Sequence, residues 1–132
     1  MVMIGAISES FANDVFCPET IIESSRVDGP TGDWLVDAPK GVRTLDSVGV
    51  YLGDPALRGA QVPDHTRRSK TEETVTWQLA RAIGDDFWVG CAYIGTSAML
   101  FKKIAISDTR CVVKYTLLPT GRRLKLKSFA CK

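Results

Sequence analysis

Two runs near the C-terminus decide the fold: Cys111-Val-Val-Lys-Tyr-Thr-Leu-Leu118 and Leu124-Lys-Leu-Lys-Ser-Phe-Ala-Cys131. Between them lies Pro119-Thr120-Gly121-Arg122, whose proline and glycine mark a turn. With the turn centred on Gly121, Cys111 falls opposite Cys131. Directly opposed residues of an antiparallel pair lie about 4.5–5.5 Å apart at Cα, within disulfide range. The chain therefore ends, on this reading, in a hairpin stapled at its open end, leaving Cys17 to bond Cys91. Pairing Cys91 with Cys111 meets a difficulty, because residues 97–106 read as a strand between them. In a plain meander that puts the partners roughly 10 Å apart. A sandwich crossover would remove the objection, so the alternative stays open at this stage.

Upstream of the hairpin the text alternates and is regularly interrupted. Thr74–Leu79 places Val75, Trp77 and Leu79 on one face, although residues 77–83 also fit two helical turns. Gly84-Asp85-Asp86 is a turn signal. Phe87–Ile94 then places Phe87, Val89, Cys91 and Tyr93 on one face. Gly95-Thr96-Ser97 and Ser107-Asp108-Thr109 bracket a further run, Ala98–Ile104. Short strands at this spacing predict a mainly β domain, an antiparallel sandwich or small barrel with long irregular loops and two disulfides.

The first half is looser. Glu19–Val27 reads as a strand, Asp28–Asp33 as a loop, and Trp34-Leu35-Val36 as a short apolar anchor. Leu45–Leu52 is a clearer strand, with Leu45, Val50 and Tyr51 expected in the core. Trp34, Trp77 and Trp88 have apolar neighbours and are expected to be buried or partly buried. Residues 53–73 show no period, and so long a connection is either functional or mobile.

The 132 residues suffice for one domain, and 45% hydrophobic with 24% charged is ordinary globular composition. Nowhere does an apolar run approach the roughly 20 residues of a spanning helix. Met1–Ile7 is apolar, and Ser10-Phe11-Ala12 fits the small-x-small cleavage rule, although no basic residue precedes it. Residues 1–12 are accordingly expected to be the remnant of a signal peptide, with residues 13–132 forming the single β domain. The four cysteines lack zinc-like spacing, and the expected setting is periplasmic or secreted.

Cys17-Pro18, Val50-Tyr-Leu-Gly-Asp-Pro55, Trp77-Gln-Leu79, Trp88-Val-Gly-Cys91-Ala-Tyr93 and Cys111 form a set of landmarks over residues 15–115. In these the chain resembles a family of small, largely uncharacterised bacterial exported (periplasmic) disulfide-containing proteins. The resemblance implies an exported, disulfide-bonded β domain and assigns no catalytic residues.

Catalytic constellations are missing from the text. It contains no G-x-S-x-G, no H-E-x-x-H and no Walker A loop. The sole histidine, His65, has Thr66 and Ser69 nearby but no spacing that marks a nucleophile and base. Asp85-Asp86 sits beside Gly84 and reads as a turn rather than a glycosidase pair. The chain is read as a non-enzyme with no cofactor or metal.

Charge is the distinctive feature. Residues 1–101 carry 8 basic and 14 acidic side chains, whereas residues 102–132 carry 9 and 1. Arg122, Arg123, Lys125 and Lys127 alternate with Leu124 and Leu126, which predicts a basic face on the last strand. Arg110 and Lys114 lie on its partner, and Lys102 and Lys103 are expected near the same sheet. Arg67, Arg68 and Lys70 form a second basic group, expected in the long loop. Such cations could recognise an envelope protein such as a hydrolase or toxin, or an anionic glycan or lipid. Equally, they could protect an edge strand or be neutralised by the acidic half. Nucleic acid is the weakest partner, since no surface aromatics interleave the charges. The leading expectation is a binding or inhibitory protein, with a structural envelope component as a further alternative.

Overall fold

The computed structural model describes residues 17–24, 26, 28–29, 32–38, 40–82 and 84–132. The expected cleavage site at residues 10–13 lies outside them. Eight strands form two antiparallel sheets. One contains β1 (Thr20–Ser24), β2 (Lys40–Leu52), β5 (Phe87–Tyr93) and β6 (Met99–Lys103), in the order β1-β2-β5-β6. The other contains β3 (His65–Arg68), β4 (Glu72–Gln78), β7 (Arg110–Leu117) and β8 (Arg123–Cys131), in the order β3-β4-β7-β8. The domain is a β-sandwich.

Alternation builds the core between the sheets. Val48, Val50, Phe87, Val89, Cys91 and Tyr93 point inward from the first sheet. From the second come Val75, Trp77, Cys111, Val113, Tyr115 and Phe129. Both disulfides lie in this interior: Cys17 joins Cys91, and Cys111 joins Cys131 with Cα atoms 4.0 Å apart. Cys91 and Cys111 belong to opposite sheets.

Several expectations for the first half are corrected. Trp34 and Leu35 are almost wholly exposed, so Trp34-Leu35-Val36 is not a core anchor. Tyr51 belongs to the outer face, one residue out of phase with Val50. Its ring lies across Gly90, where an added Cβ would meet it at 2.4 Å. The aromatic edge thus needs a glycine beneath it. Residues 79–82 form neither strand nor helix, which removes the two-turn helical alternative there. The supposed structureless connection contains β3, whose four residues are all exposed. An edge strand wet on both faces has no apolar period to detect. Finally, Lys102 and Lys103 lie on β6, in the sheet opposite the basic hairpin.

A buried tyrosine ties the sheets together. β1 covers β2 only from Lys40 to Thr44, and a register shift follows between Leu45 and Ser47. Beyond it, the Tyr115 hydroxyl accepts from the Val48 amide (3.0 Å) and donates to the Val48 carbonyl (3.3 Å). Burial pushes the Tyr115 phenol above its ordinary pKa, and burial does the same to Tyr93. A raised folded-state value means that the neutral form is favoured by folding. That stabilisation is complete below the unfolded tyrosine pKa of about 10 and is lost as pH rises through the folded value. Stability measured by urea titration is therefore expected to fall above about pH 10. Tyr115→Phe should blunt that fall while costing about 1–2 kcal/mol at neutral pH for the lost hydrogen bonds. An unchanged alkaline limb in the variant would assign the loss to other groups.

Candidate protein-binding surface

The two basic groups, some fifty residues apart in sequence, meet at one end of the second sheet. β3 pairs with β4 so that Arg67 lies opposite Thr74 and Arg68 opposite Glu73. Thr74 lies on the outer face and Glu73 on the inner, so Arg67 points outward and Arg68 inward. The β3–β4 turn carries Ser69 and Lys70. It is closed by the Ser69 hydroxyl, which accepts from the Thr71 (3.3 Å) and Glu72 (3.1 Å) amides. Ser69 therefore serves as a turn cap. The β7–β8 turn spans residues 119–121 and is centred on Thr120, one residue before the expected Gly121, whose φ of 90° suits glycine.

Arg68 and Glu73 join these turns. The Arg68 guanidinium donates to the Gly121 carbonyl. Glu73, buried in the sheet, accepts from Arg123 at 2.7 Å and pairs with Arg68 at 3.5 Å. Arg123 also stacks on Tyr115, with its guanidinium carbon 4.0 Å from the ring centroid. One carboxylate thus holds two arginines from different motifs. Between the turns lies an open groove of about 550 Å³, lined by residues that include Arg68, Lys70, Leu117 and Pro119.

The last strand does not present its charges from one face by simple alternation. Lys114 opposes Ser128 but Tyr115 opposes Leu126, and Thr116 opposes Lys125 but Leu117 opposes Arg123. Each skip is a bulge, one at Lys127 and one at Leu124. Counting inward from Cys131 and Phe129, strict alternation would bury Lys127 and Lys125. The first bulge instead places Leu126 against the core and leaves Lys125 outside. The second brings Arg123 to the inner rim, beside Glu73. Lys127 projects to the outer face and pairs with Glu72 at 2.6 Å. That ammonium holds the Glu72 carboxyl below its ordinary pKa.

The seven basic residues singled out from the sequence therefore divide. Arg68, Arg123 and Lys127 are engaged by Glu72 or Glu73. Arg67, Lys70, Arg122 and Lys125 are exposed and make no ion pair among the described residues. Lys114 adds a fifth cation to the outer face, and Thr74, Thr76 and Thr116 give that face its hydroxyls. His65 stands there too, opposite Thr76 on the exposed edge. Asp85 and Asp86 occupy a turn, where Asp85 accepts from the Ala82 amide (2.8 Å) and Asp86 pairs with Lys103 (3.3 Å). No group of three metal-ligating side chains occurs among the described residues.

A cationic, partly self-neutralised groove on a rigid sandwich is suited to holding another macromolecule. Residues 39–132 match the family model described as "Type VI secretion system Tli immunity protein". The chain belongs to that family. The partner of this Tli immunity protein is accordingly a toxin effector, which it binds and inhibits, and it is not an enzyme. It is also similar to the "Uncharacterized 16.3 kDa protein in trpG 5'region" of Azospirillum brasilense. The two are 26% identical over 110 residues, covering 79% of this chain and 73% of that protein. No solved structure matches the chain. Its two disulfides suit an oxidising compartment. No helix among the described residues is long and apolar enough to cross a membrane.

The sequence signalled both basic motifs but not their meeting. Glu73 is the residue that sequence reasoning missed, and its only signal was a carboxylate at an inward position of an alternating strand.

Proposed function

We propose that this immunity protein works in the periplasm, where it docks the basic end of the β3-β4-β7-β8 sheet on an acidic surface of its toxin partner. The observation that carries the proposal is the convergence of Arg67, Arg68, Lys70 and Arg122–Lys127 at one end of the sheet. Glu73 organises that end without cancelling its charge. Arg68 and Arg123 keep the turns in place, whereas Arg67, Lys70, Arg122 and Lys125 face outward and are available to the partner. Exposed cations of this kind accelerate encounter and set orientation more than they add final affinity. The disulfides support an envelope location, where such a bond persists.

Replacing Arg67, Lys70, Arg122 and Lys125 by glutamate tests the site. The probe is the purified toxin effector that this immunity protein inhibits. Its association rate, measured by surface plasmon resonance at low salt, should fall at least about tenfold. The salt dependence of association should weaken in parallel. Thermal unfolding should change little, because these four side chains make no ion pair among the described residues. Equal association rates for wild type and variant would remove this surface from the interface. Loss of binding to anionic vesicles, with toxin binding intact, would favour the lipid reading of the same cations.

A further inference from the structure

Trp34-Leu35-Val36 lies between β1 and β2 and is 83%, 95% and 44% exposed. Three consecutive apolar side chains in water, one of them a tryptophan, make a patch that calls for a partner rather than for a place in the core. Asp33 and Asp37 flank the patch, and neither makes an ion pair among the described residues. The segment belongs to no strand. Tryptophan is among the residues that most often dominate interface energies when inserted into a desolvated pocket.

Building on the toxin-inhibitor reading above, we infer that Trp34-Leu35-Val36 is the hydrophobic anchor that selects this chain's own toxin. The occupant of the patch is an apolar cleft on the toxin, rimmed by basic side chains that meet Asp33 and Asp37. The two contact regions then have opposite sign, a basic groove for acidic toxin residues and an acidic-flanked anchor for basic ones. That pairing fixes one orientation and penalises a toxin with the charges reversed. A second copy of this chain is a poorer occupant. Seated in that copy's basic groove, the anchor would block the surface assigned to the toxin.

The test is a triple variant, Trp34→Ser, Leu35→Ser and Val36→Ser, titrated calorimetrically against the purified toxin effector that the wild-type chain inhibits. Affinity should fall at least ~30-fold, the loss expected of a hot spot. The thermal midpoint should stay within about 2 °C, since the exposed side chains support no core. Wild-type tryptophan emission should shift to the blue on binding, and the variant should lose that shift. Trp34→Phe alone should recover part of the affinity. If wild type binds and the triple variant binds equally well, the anchor is disproved and the inhibitor reading stands. A wild-type chain that fails to bind the toxin overturns the inhibitor reading itself. A wild-type dimer that the triple variant dissolves in sedimentation makes a second copy the occupant. Trp34-dependent binding to phosphatidylglycerol vesicles makes it a lipid surface. Either result overturns the inference.

Discussion

Replacing Cys17 and Cys91 together by serine is expected to lower the unfolding free energy by about 4 kcal/mol. The bond spans 74 residues of sequence, so cutting it releases a long loop in the unfolded chain. It also detaches the segment that leads into β1, a strand of five residues paired to one neighbour at the edge of its sheet. Two consequences should be measurable. Urea unfolding should move to lower denaturant with little change in slope, and the amides of β1 should exchange much faster than those of β4 and β7. The equivalent change at Cys111 and Cys131 should cost about 3 kcal/mol, because that loop is shorter. The seven-position ladder of β7 and β8 also survives it. Equal costs for the two bonds, with β1 still protected, would show that β1 is held by packing rather than by the bond.

Phe129→Ala is expected to cost 3–5 kcal/mol, roughly the whole margin of a small domain. The ring is completely buried and lies opposite Val113, itself completely buried. It is also the inward residue just before the first bulge, so its packing helps to fix where alternation breaks. Phe129→Leu keeps most of the volume and should cost only about 1–1.5 kcal/mol. Chemical denaturation of the two variants decides the matter. A loss below 1 kcal/mol for alanine would mean that β8 can slide to refill the space. In that case the register of Lys125 and Lys127 would also change, with a visible effect on toxin association.

How much was legible depends on what each segment packs against. Phe87–Tyr93 and Cys111–Leu118 could be read directly, since one face of each is buried and period two is imposed on the text. A register centred on Gly121 aligned Cys111 with Cys131 and holds from Cys111 to Lys114, but the two bulges of β8 shift every pair nearer the turn. His65–Arg68 could not be read, because an edge strand exposed on both sides imposes no pattern. Trp34-Leu35-Val36 misled for the converse reason: hydrophobicity states that a residue would benefit from burial, not that the same chain supplies it. Tyr51 misled by one residue, because Gly90 opens a place for its ring on the outer face.

Local chemistry, by itself, was enough to determine a β domain, its terminal hairpin, the pairing partners open to its cysteines and the two basic motifs. Those properties depend on residues close in sequence, on alternation and on turn residues. Tertiary structure alone decided that the two motifs meet, that Glu73 holds Arg68 and Arg123 together, and that Arg67, Lys70, Arg122 and Lys125 face outward. The reason is physical. Two bulges in β8 change which side chains face the core, and a bulge is selected by the packing of Leu126 and Phe129 across the sandwich, which no periodicity in the strand itself records.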